Sequence, residues 1–283
     1  MKVGKLVLRI VVVAAVLLLV ALLVVWAMID KLVKAGIEKG GTYALQVDTT
    51  VEGTNLSLLR SHLSINGLQV ANPPDFKTPY LIKSGTFSLG VDRGTLLSDT
   101  IRLTEFTLDG LTVYIDQPLG RKSNVTVIMD NVKRLGREGK PEEKPKEEKK
   151  AGKKVMVDVV TVRNIVAYVK VEPLNEIEVR IPELVLPDVT SEGEGVSVPR
   201  LVAKILPPIL MAVVKQAGGL LPPGTLDNVA RDITGAAAAL GGNVSRLLDE
   251  SVKGVEEDLK GFGQGLDKAG RGLSEGVKNL FKK

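Results

Sequence analysis

Residues 106–115 read Phe106-Thr107-Leu108-Asp109-Gly110-Leu111-Thr112-Val113-Tyr114-Ile115. Apolar and polar residues alternate on both sides of Asp109-Gly110, and the alternation slips by one residue at that pair. Alternation with a period of two predicts a β-strand. An Asp-Gly pair inside such a strand predicts a bulge or a sharp kink, because glycine tolerates backbone angles that other residues avoid.

The same pattern occurs twice more along the chain. It appears upstream at Leu63–Val70, with its break at Asn66-Gly67, and downstream at Val160–Val169, with its break at Arg163-Asn164. A recurring unit predicts an architecture built by repetition, in which no unit buries its apolar face alone. The three copies are separated by unequal intervals, so chance recurrence is the alternative.

Composition narrows the chemistry of this 283-residue chain. Hydrophobic residues make up 44% of it and aromatic residues 4%, which favours strands and membrane segments built from Val, Leu and Ile. Cysteine is absent, so disulfides and thiolate chemistry are excluded. The net charge of +5 lies largely in tails and a linker, and therefore gives no indication of nucleic acid as a partner.

The N-terminus carries a candidate membrane anchor. A short basic segment, residues 1–9, precedes an unbroken apolar run at residues 10–29. A helix of that length spans roughly 30 Å, the thickness of the hydrocarbon core of a bilayer. The run is longer than a typical signal-peptide core and lacks an Ala-x-Ala site, so an uncleaved single-pass anchor is favoured over a cleaved signal. Lysines flank both ends, so charge does not decide its orientation.

Residues 30–135 are predicted to form the first part of a β domain. A short helix is expected to end at Gly40-Gly41 and to be followed by a strand at 43–51 and a turn at Glu52-Gly53. Further strands are predicted at 81–91 and 100–116. Short strands with tight turns and no long crossover predict an antiparallel meander.

Two motifs in this region resemble a known family. Leu96-Leu97-Ser98-Asp99-Thr100 leads into the 106–115 strand, and Gly120-Arg121-Lys122-Ser123-Asn124 precedes a predicted helix at 125–135. Together with the anchor, this order is similar to the AsmA-like family of bacterial envelope proteins. The resemblance implies an inner-membrane protein with most of its chain in the periplasm. It also implies a curved sheet whose apolar face accepts lipid chains, although larger members have many more repeats.

The second half of the chain divides by composition. Residues 136–154 are rich in Lys, Glu, Gly and Pro and are predicted to form a flexible, solvated linker. The β domain is predicted to continue over residues 155–190, with Pro182 and Pro187 placing the last strand at an edge. Residues 197–221 predict apolar helices interrupted at Pro207-Pro208. Residues 225–283 predict a Gly-rich amphipathic helical tail that needs a bilayer or the sheet as a surface, or else remains frayed.

The residues offer little for catalysis. His62 is the single histidine, and no Gly-rich phosphate loop is present. Nothing pairs Asp109 or Asp116 with a base or a nucleophile in the sequence. We therefore expect a non-enzymatic protein without a cofactor or a metal.

The predicted fold is mainly β with α: a transmembrane helix, a curved antiparallel sheet of repeated kinked strands, and C-terminal amphipathic helices. Two functions compete. The first is lipid handling or envelope maintenance, with phospholipid lining an apolar groove. The second is a structural or adaptor protein whose C-terminal helices bind a partner or the bilayer. Exposed strand edges favour a homo-oligomer or an envelope protein partner. The candidate lipid-lining residues are Leu63, Ile65, Phe106, Leu108, Val160 and Val162.

Overall fold

A computed structural model describes residues 2–57, 60–138, 153–190, 195–241, 244–251 and 253. Within the first of these ranges, the side chains of residues 2–10, 15, 18–27 and 29 are outside the description. The predictions for most of the linker at 136–154, and for the tail beyond residue 253, also fall outside it. The elements in chain order are α1 (Lys2–Leu45), β1 (Thr49–Ser57), β2 (His62–Ala71), β3 (Tyr80–Val91), β4 (Thr100–Gln117), α2 (Asn124–Glu138), β5 (Lys154–Val157), β6 (Val159–Val171), β7 (Ile177–Pro187), α3 (Val198–Gly218) and α4 (Asp227–Leu240).

The strands form one curved, unclosed sheet of seven strands. Its order is β1-β2-β3-β4-β6-β7, and β5 pairs with the start of β4. The prediction of an antiparallel sheet is wrong at its centre, because β4 pairs in parallel with both β5 and β6. Parallel neighbours need a crossover connection. The segment between β4 and β5, which begins with α2, supplies it, so the fold is mixed α/β.

The three repeat copies lie in β2, β4 and β6, and each carries its predicted kink. Gly67, Gly110 and Asn164 have φ angles of +60°, +72° and +53°. The strand partners place these residues in one line across the sheet. This line, which we call the kink row, also includes the partners from β1, β3 and β7 and consists of Glu52, Gly67, Gly85, Gly110, Asn164 and Pro182.

The kink row is a concerted bend and not a bulge. Strand partners keep the same register on both sides of it, for example Asp109 with Arg163 and then Thr112 with Val166. In each strand that crosses this row two consecutive residues turn away from the core, after which the alternation resumes. The short strand β5 does not reach the row. Because all the crossing strands slip together, one face stays apolar from end to end. We call it the inner face.

Helix α1 runs further than the sequence predicts. It passes through Gly40-Gly41 and ends at Leu45, where Gln46 adopts a φ of +56°. A Cβ on Gly40 would lie 2.7 Å from a methyl carbon of Val198, and one on Gly41 would lie 2.7 Å from the side chain of Thr49. The two glycines therefore permit close packing and do not end the helix. The strand predicted at 43–51 starts too early, because α1 continues to Leu45 and β1 begins at Thr49. The turn predicted at Glu52-Gly53 is wrong, because β1 spans both residues.

The boundary predicted between anchor and domain, at residues 29 and 30, falls inside this continuous helix. No helix that is long and apolar enough to cross a membrane was found among the residues that the structure describes. Most side chains of the 10–29 run lie outside that description. The transmembrane anchor thus remains a prediction.

Helix α3 is the centre of the core. Residues 205–214 are buried at every position, so this part of the helix is surrounded and is not amphipathic. Pro207 and Pro208 lie inside the helix and do not interrupt it, contrary to the prediction. A proline inside a helix costs about 3 kcal/mol locally. Burial of each large apolar side chain contributes about 1.5–3 kcal/mol, so packing outweighs that cost.

Candidate functional site

The six predicted lipid-lining residues lie together on the inner face. Leu63, Ile65, Leu108, Val160 and Val162 are buried in one hydrophobic core, and Phe106 packs against it half-buried. The ring of Phe106 meets that of Phe87 edge-on, at a centroid distance of 6.2 Å. The alternation in the sequence therefore groups residues of β2, β4 and β6 that share one face of the sheet.

That face is in contact with the chain's own helices. Helix α3 packs against β5, β6 and β7 and against α1, while α1 packs against β1 and α2 packs against β4. The core formed by the inner face includes the whole centre of α3. Two cavities in the described part of the chain, one at the start of α2 and one beside the C-terminal end of α1, are not lined by any of the six predicted residues.

Polar side chains of α1 cover the outer edge of β1. The backbone N–H groups of Val51 and Leu56 donate to carboxylate oxygens of Glu38 and Asp30, at 3.0 and 2.8 Å. The N–H of Thr49 donates to the hydroxyl of Thr42, at 3.0 Å. Unpaired strand edges recruit other chains, and these contacts satisfy donors that such pairing would use. They also hold Asp30 beside the last residues of β1. We call the end of the sheet where β1 turns into β2 the proximal end.

A polar cavity of about 370 Å³ lies at the start of α2, close to the last residues of β4 and away from the proximal end of the sheet. Arg121, Lys122 and Arg231 bring positive charge to its walls, and Asp232 brings a carboxylate. Lys122 donates to Asp130 at 2.9 Å, and this hydrogen bond raises the pKa of Lys122. Burial acts to raise the pKa of Asp130, but the hydrogen bonds from Lys122 and Lys133 outweigh it, so that pKa lies below its ordinary value.

The Gly120–Asn124 motif divides into structural and exposed parts. The side chain of Asn124 is fully buried and donates to Asn72 and to the carbonyl oxygen of Tyr114, both at 2.8 Å. Its own oxygen accepts from the backbone N–H of Asp116, at 3.0 Å. Asn124 thus ties the end of β4 to α2 and to the loop at Asn72. The motif is visible in the sequence but this role is not, because nothing in the sequence marks Asn72 as a partner.

Within the described residues, no cluster of three or more His, Asp or Glu side chains could hold a metal ion. His62 lies at the first position of β2, paired with Ser57 and Gly90 in the sheet. On the outer face, Tyr114 and Tyr168 stack with ring centroids 5.5 Å apart. The charge of Glu178 raises the pKa of Tyr168.

Comparison of the chain with protein-family models, with curated proteins and with solved structures found no match. The resemblance to AsmA-like proteins therefore remains a prediction that rests on the motifs quoted above.

Proposed function

We propose that this chain is a non-enzymatic structural or adaptor protein, anchored in a membrane by α1, that holds a rigid β domain beside the bilayer. One observation carries the proposal: the apolar residues of the inner face are buried in one core together with residues of the chain's own helices. A protein whose apolar face is already covered has no need of a ligand to cover it. Its remaining surfaces are then available to a protein partner or to the bilayer.

The N-terminal part of α1 supports the anchor. The described aliphatic side chains in this part are each more than half exposed, and Val11, Val12 and Val13 are consecutive. Three consecutive residues point in different directions around a helix, which turns by 100° per residue. Exposure on several sides is unfavourable in water and suits a helix surrounded by lipid. On the AsmA-like resemblance, the membrane would be the bacterial inner membrane and the β domain would be periplasmic.

The coupling between anchor and domain supports a structural role. The same helix that carries the apolar run also caps the edge of β1 through Asp30 and Glu38. No flexible joint separates residues 29 and 30, because the helix is continuous there. A continuous helix fixes the position of the β domain relative to the membrane. A scaffold protein requires such a fixed position.

Lipid handling is the second candidate, and one observation favours it. The inner face is apolar along its whole length, on both sides of the kink row. Displacement of α3 would therefore expose an extended apolar groove. Phospholipid chains would then contact the six residues named above. This function requires α3 to move, whereas the structural function does not.

A reversible lock on α3 separates the two functions. The chain has no cysteine, and a Cβ on Gly40 would lie 3.1 Å from the Cβ of Val198. This is about 0.4 Å shorter than the usual range for a disulfide, so a small separation of α1 from α3 at this point would let cysteines at the two positions bond. The full-length G40C/V198C variant is purified in detergent under oxidising or reducing conditions, and bound phospholipid is measured by mass spectrometry. The same variant in its reduced form is the control.

We expect equally low phospholipid content in both states. Stoichiometric lipid in the reduced state that disappears on oxidation would overturn the structural proposal in favour of lipid handling. The anchor is tested separately by extracting membranes with alkaline carbonate, from which the full chain should sediment and a chain lacking residues 2–29 should not. A partner-binding role for the tail is tested by truncation after Lys253, because truncation after Pro222 would remove the buried residues of α4.

A further inference from the structure

The geometry of α1 defines which end of the β domain faces the bilayer. Asp30 contacts Thr54 and Leu56, whereas Thr42 contacts Thr49, so the helix runs antiparallel along β1. Going towards its N-terminus, α1 therefore leaves the sheet at the proximal end, where β1 finishes at Ser57. The apolar run at 10–29 begins directly beyond that point. If it is embedded as proposed above, the proximal end lies at the membrane surface.

The connection between β3 and β4 lies at the same end. Val91, the last residue of β3, donates its backbone N–H to the carbonyl oxygen of Ser61 in the β1–β2 turn, at 2.8 Å. The residues that follow, 92–99, extend past this point before β4 begins. We call them the proximal loop. Leu97 in this loop is 98% exposed, the largest exposure of any described large hydrophobic side chain.

The proximal loop is held in shape by its own hydrogen bonds. The carboxylate of Asp92 accepts from the N–H of Gly94 at 2.9 Å, and the hydroxyl of Thr95 accepts from the N–H of Arg102 at 3.0 Å. The hydroxyl of Ser98 donates to the carbonyl oxygen of Thr95, at 2.7 Å. Leu96 packs against the core while its neighbour Leu97 points out. An exposed leucine on a braced loop loses little conformational freedom on insertion into lipid.

Exposed cations lie in and beside the proximal loop: Arg93 is in it, Arg60 is in the β1–β2 turn, and Lys153 and Lys154 stand at the start of β5. The loop itself carries the carboxylates of Asp92 and Asp99. Other carboxylates at this end have partners of their own: Asp158 pairs with Arg102, Asp188 pairs with Arg246, and Asp30 accepts from the N–H of Leu56. The side chain of Lys153 donates to the carbonyl oxygen of Leu96, next to the exposed leucine. Each Lys or Arg near an anionic membrane strengthens attachment by about fivefold.

We propose that the proximal loop is a second membrane contact, in which Leu97 inserts into the interface and the flanking basic side chains bind anionic phospholipid headgroups. The inference rests on the proposed membrane anchor. It adds that the domain is held against the bilayer at two points, so that it cannot swing about the anchor.

Fluorescence quenching tests this contact in the intact chain. The chain has no cysteine, so a single introduced cysteine can be labelled specifically. L97C carries an environment-sensitive dye, and the full-length protein is reconstituted into nanodiscs that contain about one-third anionic phospholipid with spin-labelled acyl chains. L119C is the matched control, since Leu119 is a 71% exposed loop leucine at the opposite end of β4. L17C reports on the anchor itself.

We expect strong quenching at positions 17 and 97 and little at 119. We also expect the quenching at 97 to fall at least twofold in purely zwitterionic discs and in the R93A/K154A background. Quenching at 17 with none at 97 beyond that at 119 would overturn the loop contact and leave the anchor intact. Lack of quenching at 17 would overturn the anchor and the loop contact together.

Discussion

Gly85 lies directly opposite Gly110 in the kink row, so close that a Cβ on Gly85 would stand 2.9 Å from the carbonyl oxygen of Asp109. Neighbouring strands can bend together here because neither residue carries a side chain. The bend turns two residues of every crossing strand outward and keeps the inner face apolar. The fold of the sheet therefore depends on backbone freedom at this row.

The first prediction concerns Gly110. G110A should lower the free energy of unfolding by about 1–2 kcal/mol, because its φ of +72° is strained for any residue with a Cβ. Urea unfolding of the full chain in detergent, followed by circular dichroism, measures this loss. G53A is the control, since nothing lies within 4 Å of a Cβ at that position of β1. Equal stability of the two variants would contradict the strain argument.

Glycines at two positions of α1 should respond in opposite directions. G36A should stabilise the protein by about 0.5–1 kcal/mol, because alanine favours a helix and the site is open. G41A should instead destabilise it by about 1–3 kcal/mol, because the added methyl group would overlap the buried side chain of Thr49. The same unfolding measurement compares them. A stabilising effect of G41A would show that Gly41 is not needed for close packing.

Asn124 should be among the most sensitive polar residues. N124A should cost about 3 kcal/mol or more, because it leaves the carbonyl oxygen of Tyr114, the N–H of Asp116 and the side chain of Asn72 without this partner in a buried site. N66A is the comparison: Asn66 is exposed and accepts one hydrogen bond from Thr86, so its loss should cost less than about 0.5 kcal/mol. Similar unfolding midpoints for the two variants would argue against the role assigned to Asn124.

The edge of β1 gives a prediction that hydrogen exchange can follow. E38A should accelerate exchange of the Val51 amide, because its acceptor is lost. E38Q should change it little, since a glutamine oxygen can accept the same bond. Self-association of E38A, measured by light scattering, should rise as well because the edge is freed. Identical exchange in both variants would mean that the carboxylate does not protect this edge.

The sequence was informative wherever a pattern depends on neighbours along the chain. The alternation around Asp109-Gly110 located the strands, their inner faces and the kinks, because both burial and φ act through adjacent residues. Prediction from the sequence failed where contacts between residues distant along the chain determine the structure. Gly40-Gly41 resembles a helix stop, but Val198 and Thr49 make it a packing surface.

Strand direction was missed for a similar reason. A meander and a sheet with parallel pairs at its centre have the same alternation, and only the crossover through α2 distinguishes them. Pro207-Pro208 looked like an interruption because the local cost is visible in the sequence, whereas the burial around α3 is not. The candidate lipid site was affected in the same way: the apolar face was predictable, but the sequence left open whether the C-terminal helices or acyl chains cover it.

The last prediction concerns acid stability at Asp130. Its pKa is lower in the folded protein than the ordinary value of 3.8, mainly because hydrogen bonds from Lys122 and Lys133 outweigh the effect of burial. A lowered pKa means that the contribution to stability is present above about pH 4 and is lost as the pH falls through the folded-state pKa. The urea midpoint of the wild type should therefore fall more steeply between about pH 5 and pH 3 than that of D130N. In a K122M background, which removes the first of these donors, the difference between Asp130 and D130N should shrink. An unchanged difference in that background would show that Lys122 does not stabilise the charged carboxylate.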